Sequence, residues 1–555
     1  MVIDQTLHSI ISIIFLITYY STIGFLLHPL FFSNKRSYRI NFNEATLLGL
    51  IANIFFLYLW NLFYPINENG FITFVLICLS VGLKYKPIKR IKNVYKNFEI
   101  RLIIFLLIIT IWIGFLANNK IGPYDLGLYH LHVIKWAENF HIIKGIGNLH
   151  YRLGFSCSDW LLASQVNVVF NTNLFLWTHG AIYLIIGFVN FLYEPVFSKN
   201  RLKRSEKIIR ILYLPILINF CFTSFPGTSS DLPVFFFTSI ISLYYFRFII
   251  YKKKNSLNLI FITATLGLSS KLSFGAIIIG LIISLLFKTP EIKSHKKHIP
   301  WSILFLSLAT LFLWSSRNII TTGYPFYPYS EIAFPVEWKM EKQKVEMAKN
   351  QITIHAQGYA NLKSLSYVEK LNWYYQKITV QHRRIEIYYP VIIGIFGMIS
   401  SLFLIKKRLF EIIFLTLPSI LPMFLWTQIP NGRFFCSSFW WFGIMLAVYP
   451  LVKITKGFKL HYFCFLVILF SISIHTFDRL GSPKNFLPAY NRSKIPEVFT
   501  KKITNEEGLT YFKPKSGDQC WDSPLPCTPE PEFWLRNVIQ TNQNNLQEGF
   551  RVNMK

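Results

Sequence analysis

The sequence predicts an all-α integral membrane protein of about fourteen transmembrane helices, and three observations predict it. Apolar runs of about 17–25 residues recur from one end of the 555-residue chain to the other, each long enough to cross a ~30 Å hydrocarbon core. Hydrophobic residues make up 52% of the chain and charged ones only 15%, which excludes a string of soluble domains or a disordered regulator. The Lys and Arg behind the formal charge of +30 sit in short blocks between the apolar runs. That is the pattern of cytoplasmic loops, so the basic excess implies no nucleic-acid partner.

In chain order, the first run has no basic stretch before it and continues to about residue 32, which reads as a retained span and not a cleaved signal peptide. The candidate spans are about 8–32, 43–63, 71–83, 102–117, 174–193, 208–222, 232–250, 257–269, 273–288, 300–316, 390–405, 411–427, 434–452 and 460–476. Basic blocks separate them two at a time: Lys35/Arg36/Arg39, Lys84 to Arg101, Lys199 to Arg210, Lys252 to Lys254, Lys288 to Lys297, Lys406 to Arg408, and Lys453 to Lys459. With every block cytoplasmic, both termini face outward. The chain divides into a polytopic portion, 1–476, and an extracytoplasmic tail, 477–555. The outward side carries a first loop at about 118–173, a short loop ending at Asp231, a hairpin tip at Lys271, a large loop at 317–389, and a turn ending at Arg433. Every segment with chemistry-bearing residues falls on that side.

In the first loop, Gly122-Pro123-Tyr124-Asp125 precedes a stripe of Leu126, Tyr129, Val133, Trp136 and Phe140 at helical spacing, an amphipathic helix expected in the membrane interface. Asp125 is either its N-cap or a carboxylate placed to take a proton from an acceptor hydroxyl. Downstream, Gly145 to Phe155 combines turn-permitting glycines with His150 and Arg152, whose forked guanidinium suits a phosphate. Lys271, between two short apolar stretches, either snorkels to the interface or has a partner. Arg317 ends a span and leads into an aromatic and proline platform around Tyr324, suited to stack on a sugar or to anchor at the headgroup belt. Arg433 stands at the outer end of a later span, and Asp231 marks a helix start, as a cap or as a substrate contact. Several cations facing one side make an anion site.

No zinc signature, Walker loop, dinucleotide fingerprint or nucleophile elbow occurs, so ATP-driven transport and serine-hydrolase chemistry lack support. Five cysteines lie in or beside apolar runs and read as small core residues. Cys520 and Cys527 flank a Trp- and Pro-containing loop in the polar tail and form a disulfide candidate if that tail lies outside the cytoplasm.

The stretches Tyr-Asp-Leu-Gly-Leu-Tyr-His from Tyr124, Asn-Leu-His-Tyr-Arg-Leu-Gly-Phe from Asn148, Gly-Tyr-Pro-Phe-Tyr-Pro after Arg317-Asn318, and Gly-Asp-Gln-Cys-Trp-Asp-Ser-Pro-Leu-Pro-Cys from Gly517 resemble an uncharacterised family of bacterial polytopic inner-membrane proteins, over nearly the whole chain. The long first outer loop beginning with an Asp, the outward Lys hairpin and the Pro-x-x-Arg-Phe turn look like the GT-C superfamily of membrane glycosyltransferases. That resemblance implies transfer of a hexose or pentose from a polyprenyl-phosphate donor in the membrane lipid to an envelope glycan or glycolipid acceptor, on the outer face of the bacterial inner membrane. By the same resemblance Asp125 would be the base, Arg433, Lys271 and Arg152 would hold the departing phosphate, and His150, Asp231, Arg317 and Tyr324 would line the substrates. A divalent metal is the one cofactor to consider, because many GT-C members carry a close acidic pair in this loop; here no second acid adjoins Asp125. The rival readings are a flippase or transporter of a lipid-linked glycan, which charges deep inside spans would favour, and a non-catalytic envelope assembly subunit.

Overall fold

Helix Asp231–Tyr251 is apolar on every side and covered on every side: Phe235, Phe236, Phe237, Ile240 and Leu243 are fully buried. A helix with that pattern belongs in a core, with amphipathic neighbours around it. It packs against Ser256–Ser270 and Gly432–Ile454 in a computed structural model that describes residues 2–31, 40–84, 99–118, 124–170, 178–198, 202–253, 255–287, 301–358, 362, 364–379, 384–404, 409–478, 495–543 and 545–553.

The described chain is mostly helical. Among the described residues, five helices are long and apolar enough to cross a membrane by length and composition: Gln5–Phe31, Phe42–Asn61, Asp231–Tyr251, Trp301–Thr322 and Gly432–Ile454. Eight shorter apolar helices accompany them. The apolar run at 208–222 is divided into Arg204–Leu212 and Leu214–Thr223, where Pro215 opens the second helix. The start of the run at 174–193 lies outside the described residues. So do Gly122 and Pro123, the block at Lys35, Arg36 and Arg39, Lys199, Lys254, Lys406 to Arg408, and most of the blocks around 85–98 and 288–297.

The outer helices leave apolar stripes uncovered. Along Trp301–Thr322, the side chains of Trp301, Phe305, Leu308 and Phe312 recur at helical spacing and are more than half exposed. Ile100–Leu116 and Leu460–Asp478 carry similar apolar stripes, about half exposed, such as Ile104, Leu107 and Ile108, and Phe465, Leu466 and Leu469. Such stripes suit hydrocarbon and not water. Charge is confined to the ends of the central helix. Asp231 begins it, and Arg247 near its other end approaches the buried Glu206, which also binds Arg210 at 3.0 Å. No charged residue lies between Asp231 and Arg247 on that helix.

The tail departs from an all-α reading. Thr500–Thr504 pairs antiparallel with Thr510–Pro514, and Val538–Gln540 with Phe550–Val552. These hairpins dock on the first loop. Trp521 N–H donates to the Gly127 carbonyl, Phe550 N–H to Lys144, and the Thr528 hydroxyl to Leu149. The segment from Leu126 to Asn139, a π turn followed by an α-helix, is therefore buried on both faces, with Leu126, Ile134 and Trp136 inward and His132 against Ser523 of the tail. The expected interfacial helix has a polar face that meets protein instead of headgroups. Its amphipathic pattern fixes the apolar side and leaves open what covers the other.

Candidate functional site

Four segments far apart in sequence bring charged side chains together. Asp231 lies in the first turn of its helix, where the positive end of the peptide dipoles favours a carboxylate, and its side chain is 3% exposed. Its Oδ1 accepts from Lys271 Nζ at 2.6 Å and its Oδ2 from Arg433 Nε at 2.8 Å. Lys271 sits in extended conformation just past the end of Ser256–Ser270, with its ammonium over the Phe434 ring at 4.2 Å. Arg433 opens Gly432–Ile454, whose first turn is capped by the Asn431 side chain. The other face of that guanidinium reaches Asp125, Nη2 to Oδ2 at 3.7 Å.

The geometry shows what each of these groups bonds to. Asp125 occupies the position before the π turn, yet its side chain makes no capping hydrogen bond, and neither Asp231 nor its N-cap residue Ser230 makes one. Both acids pair with Arg433, and Asp231 pairs with Lys271 as well. Lys271 does have a partner. Exposure rises from Asp231 through Lys271 at 21% to Asp125 at 32% and Arg433 at 34%, so Asp231 anchors the group and Asp125 forms its open edge.

His130 and Thr228 line the group from within. The His130 ring is 4.9 Å from Trp160, its Nδ1 is 3.2 Å from the Thr228 hydroxyl, and burial pushes its pKa down to about 4, which keeps it neutral. Arg152 rides over the Tyr151 ring at 4.7 Å and lies within electrostatic reach of Tyr124 and Tyr129, which flank Asp125. Tyr124 is tied to the tail through a hydrogen bond to Asp518, the largest cause that raises its pKa to about 12.

The remaining site residues named from the sequence stand apart from the four. His150 is 2% exposed, packed on Tyr151 and Trp534, and burial holds its pKa well below the usual range. Arg317 donates to Asn61 Oδ1 at 2.6 Å beside a small apolar cavity. Tyr324 is buried, and its hydroxyl donates to the Met340 carbonyl, so the aromatic platform turns this ring into the loop's own core and presents Phe326 and the following Tyr329 outward.

Cys520 and Cys527 are joined by a disulfide, and the other five cysteines are buried and free. Among the described residues, the one His/Cys/acid group with ligand atoms close enough for a metal is His132 with Cys520 and Cys527, and the disulfide uses both thiols. Asp125 and Asp231 do not fit a divalent ion either, because the cation between them is Arg433 itself.

A second polar group escaped the sequence reading. Asp159, 1% exposed, accepts from the Tyr183 hydroxyl and lies 3.6 Å from His179 Nε2. Its neighbour Ser158 bonds to Ser269 and Ser270, which lead directly into Lys271. The one sequence signal was an acid in Ser-Asp-Trp at a helix start, which reads as an ordinary first-turn residue.

Residues 7–440 match the family model described as a domain of unknown function (DUF8201). No curated protein and no solved structure matches the chain.

Proposed function

This chain belongs to the DUF8201 family, and since that membership carries no activity with it, we propose a function from the site alone: transfer of a sugar from a polyprenyl-phosphate donor to an envelope glycan or glycolipid acceptor, on the outer face of the bacterial inner membrane with both termini outward. The observation that carries the reading is the convergence of Asp125, Asp231, Lys271 and Arg433, with Arg152 within electrostatic reach of the same Tyr129 that Asp125 and Arg433 act on. In this reading an Asp125 oxygen takes the acceptor hydroxyl proton while the acceptor oxygen attacks the anomeric carbon. The bond from that carbon to the phosphate oxygen breaks, and its electron pair leaves with the lipid phosphate. Arg433, Lys271 and Arg152 receive the added charge, and Asp231 holds the first two in place before substrate arrives. The uncharged course of the central helix between Asp231 and Arg247 disfavours a transporter path.

A second reading, a non-catalytic assembly subunit, is favoured by the charge balance, because two carboxylates already neutralise two cations. Lipid analysis and envelope glycan profiling of a deletion strain separate the two. Accumulated polyprenyl-phosphate sugar with one glycan residue missing supports the transferase, and an altered glycan without donor accumulation refutes it.

A further inference from the structure

The first loop, the second large loop and the tail meet a second time, around a cleft of about 350 Å³. Its walls include Lys144, Glu337, Trp338, Asn545, Gln547 and Arg551. The segments are fastened tightly to one another at its floor. Asn148 donates to the Trp338 carbonyl, the Trp338 indole to Ile319, and Gly549, at φ +89°, lies so close to Lys144 that a Cβ would stand 2.2 Å from its carbonyl oxygen. The walls are therefore pre-formed and do not depend on one mobile loop.

The chemistry of the lining selects a ligand class. Arg551 faces Glu337 at 3.6 Å and Lys144 lies over the Trp338 ring at 5.3 Å, while Glu548 completes two cations against two acids. Such a balance favours neither a polyanion nor a polycation. Gln547 supplies both a donor and an acceptor, Asn545 an amide donor while its Oδ1 accepts from Gln547 N–H, and the Arg551 side chain is 42% exposed. Polar groups of both kinds beside one indole suit a ligand with many hydroxyls and an apolar face. The volume, at the low end of the roughly 300–1,000 Å³ of small-molecule sites, admits one or two sugar rings.

We infer that this cleft binds a neutral mono- or disaccharide unit, separately from the charged group at Asp231. It deepens the transferase reading only in naming that saccharide as part of the acceptor; binding itself is read directly. The experiment is saturation-transfer NMR on the full chain in lipid nanodiscs, with methyl glycosides of glucose, galactose, mannose, rhamnose and N-acetylglucosamine and their disaccharides as probes. At least one probe receives saturation, and Gln547→Ala and Arg551→Met, both on the rim of the tail, each weaken it by about tenfold or more. Unchanged elution and helicity of the variants show that the fold survives. Transfer to none of the probes, or transfer that persists unaltered in both variants, overturns the inference. Saccharide binding that survives in Asp125→Asn protein without sugar transfer leaves the cleft standing whatever becomes of the transferase reading.

Discussion

Asp125 and Asp231 flank the same guanidinium, yet the structure gives their removal different consequences, and that difference tests the chemistry. The Asp125 carboxylate is a third exposed, reaches Arg433 at 3.7 Å and caps nothing, so it contributes to stability like an exposed ion pair, about 0–1 kcal/mol. Asp125→Asn keeps the side chain's size and should accumulate as the unaltered protein does. If Asp125 takes the acceptor proton, transfer falls by about 10²–10⁴-fold. That corresponds to about 2.7–5.4 kcal/mol of activation free energy, well outside the stability effect. Asp231→Asn is the contrast. Its carboxylate is buried and holds two cations at 2.6 and 2.8 Å, so its loss leaves both short of charge and should cost about 3–5 kcal/mol of stability. The assay is complementation of a deletion strain at expression matched by immunoblot, read by donor accumulation and envelope glycan profile, with thermal midpoints in detergent measured alongside. Asp125→Asn should restore protein but not glycan, and Asp231→Asn should lower the midpoint. A normal glycan profile with Asp125→Asn at equal expression refutes the assignment of the base, and an unshifted midpoint with Asp231→Asn refutes its role as anchor.

Glu138 accepts from Asn167 at 2.8 Å, and burial raises its pKa from 4.5 to about 7. The folded state then binds the proton more tightly than the unfolded chain, so this stability is complete below about pH 4.5 and is lost as pH rises through about 7. Thermal midpoints of Glu138→Gln should therefore vary less between pH 5 and 8 than those of the unaltered protein, and parallel profiles would exclude it as the titrating group. Gly127→Ala would place a Cβ 2.3 Å from the Trp521 ring and should loosen the tail, seen as faster proteolysis after residue 495; unchanged digestion would mean that the tail does not depend on this contact. Alkylation of the intact protein before reduction should label neither Cys520 nor Cys527, and after reduction both. Labelling of both without reductant would exclude the bridge and count against a tail in an oxidising compartment.

The apolar runs and the charges at their ends were legible because each is a local property. A run of apolar residues must become a helix to satisfy its backbone in a bilayer, and the few charged residues left at its ends are conspicuous. Asp231, Lys271 and Arg433 stand out that way, and Asp125 as the acid ahead of an amphipathic stripe. Their pairing was not legible, since Asp231 meets residues 40 and 202 positions away, and periodicity carries no such information. The same limit explains Tyr324, because tyrosines and prolines at a helix end are equally compatible with a ring turned outward or into the Met340 loop. It also explains the helix Leu131–Asn139, whose polar face is covered by a tail nearly 400 residues downstream.

The pairing also changes what the charges can do. Read singly, three cations around an acid look like an anion trap; in place, Asp231 and Asp125 cancel Lys271 and Arg433, and the group is neutral before a ligand arrives. The cation that keeps its charge unopposed is Arg152, which sits on Tyr151 with no carboxylate partner among the described residues. A phosphate would therefore be drawn first by Arg152 and would compete with Asp125 for the open edge of Arg433. That competition would free the Asp125 carboxylate from its contact with Arg433 when a donor binds. Under the proposed transferase function, Asp125 would then be free to meet an acceptor hydroxyl only once a phosphate had taken its place on Arg433.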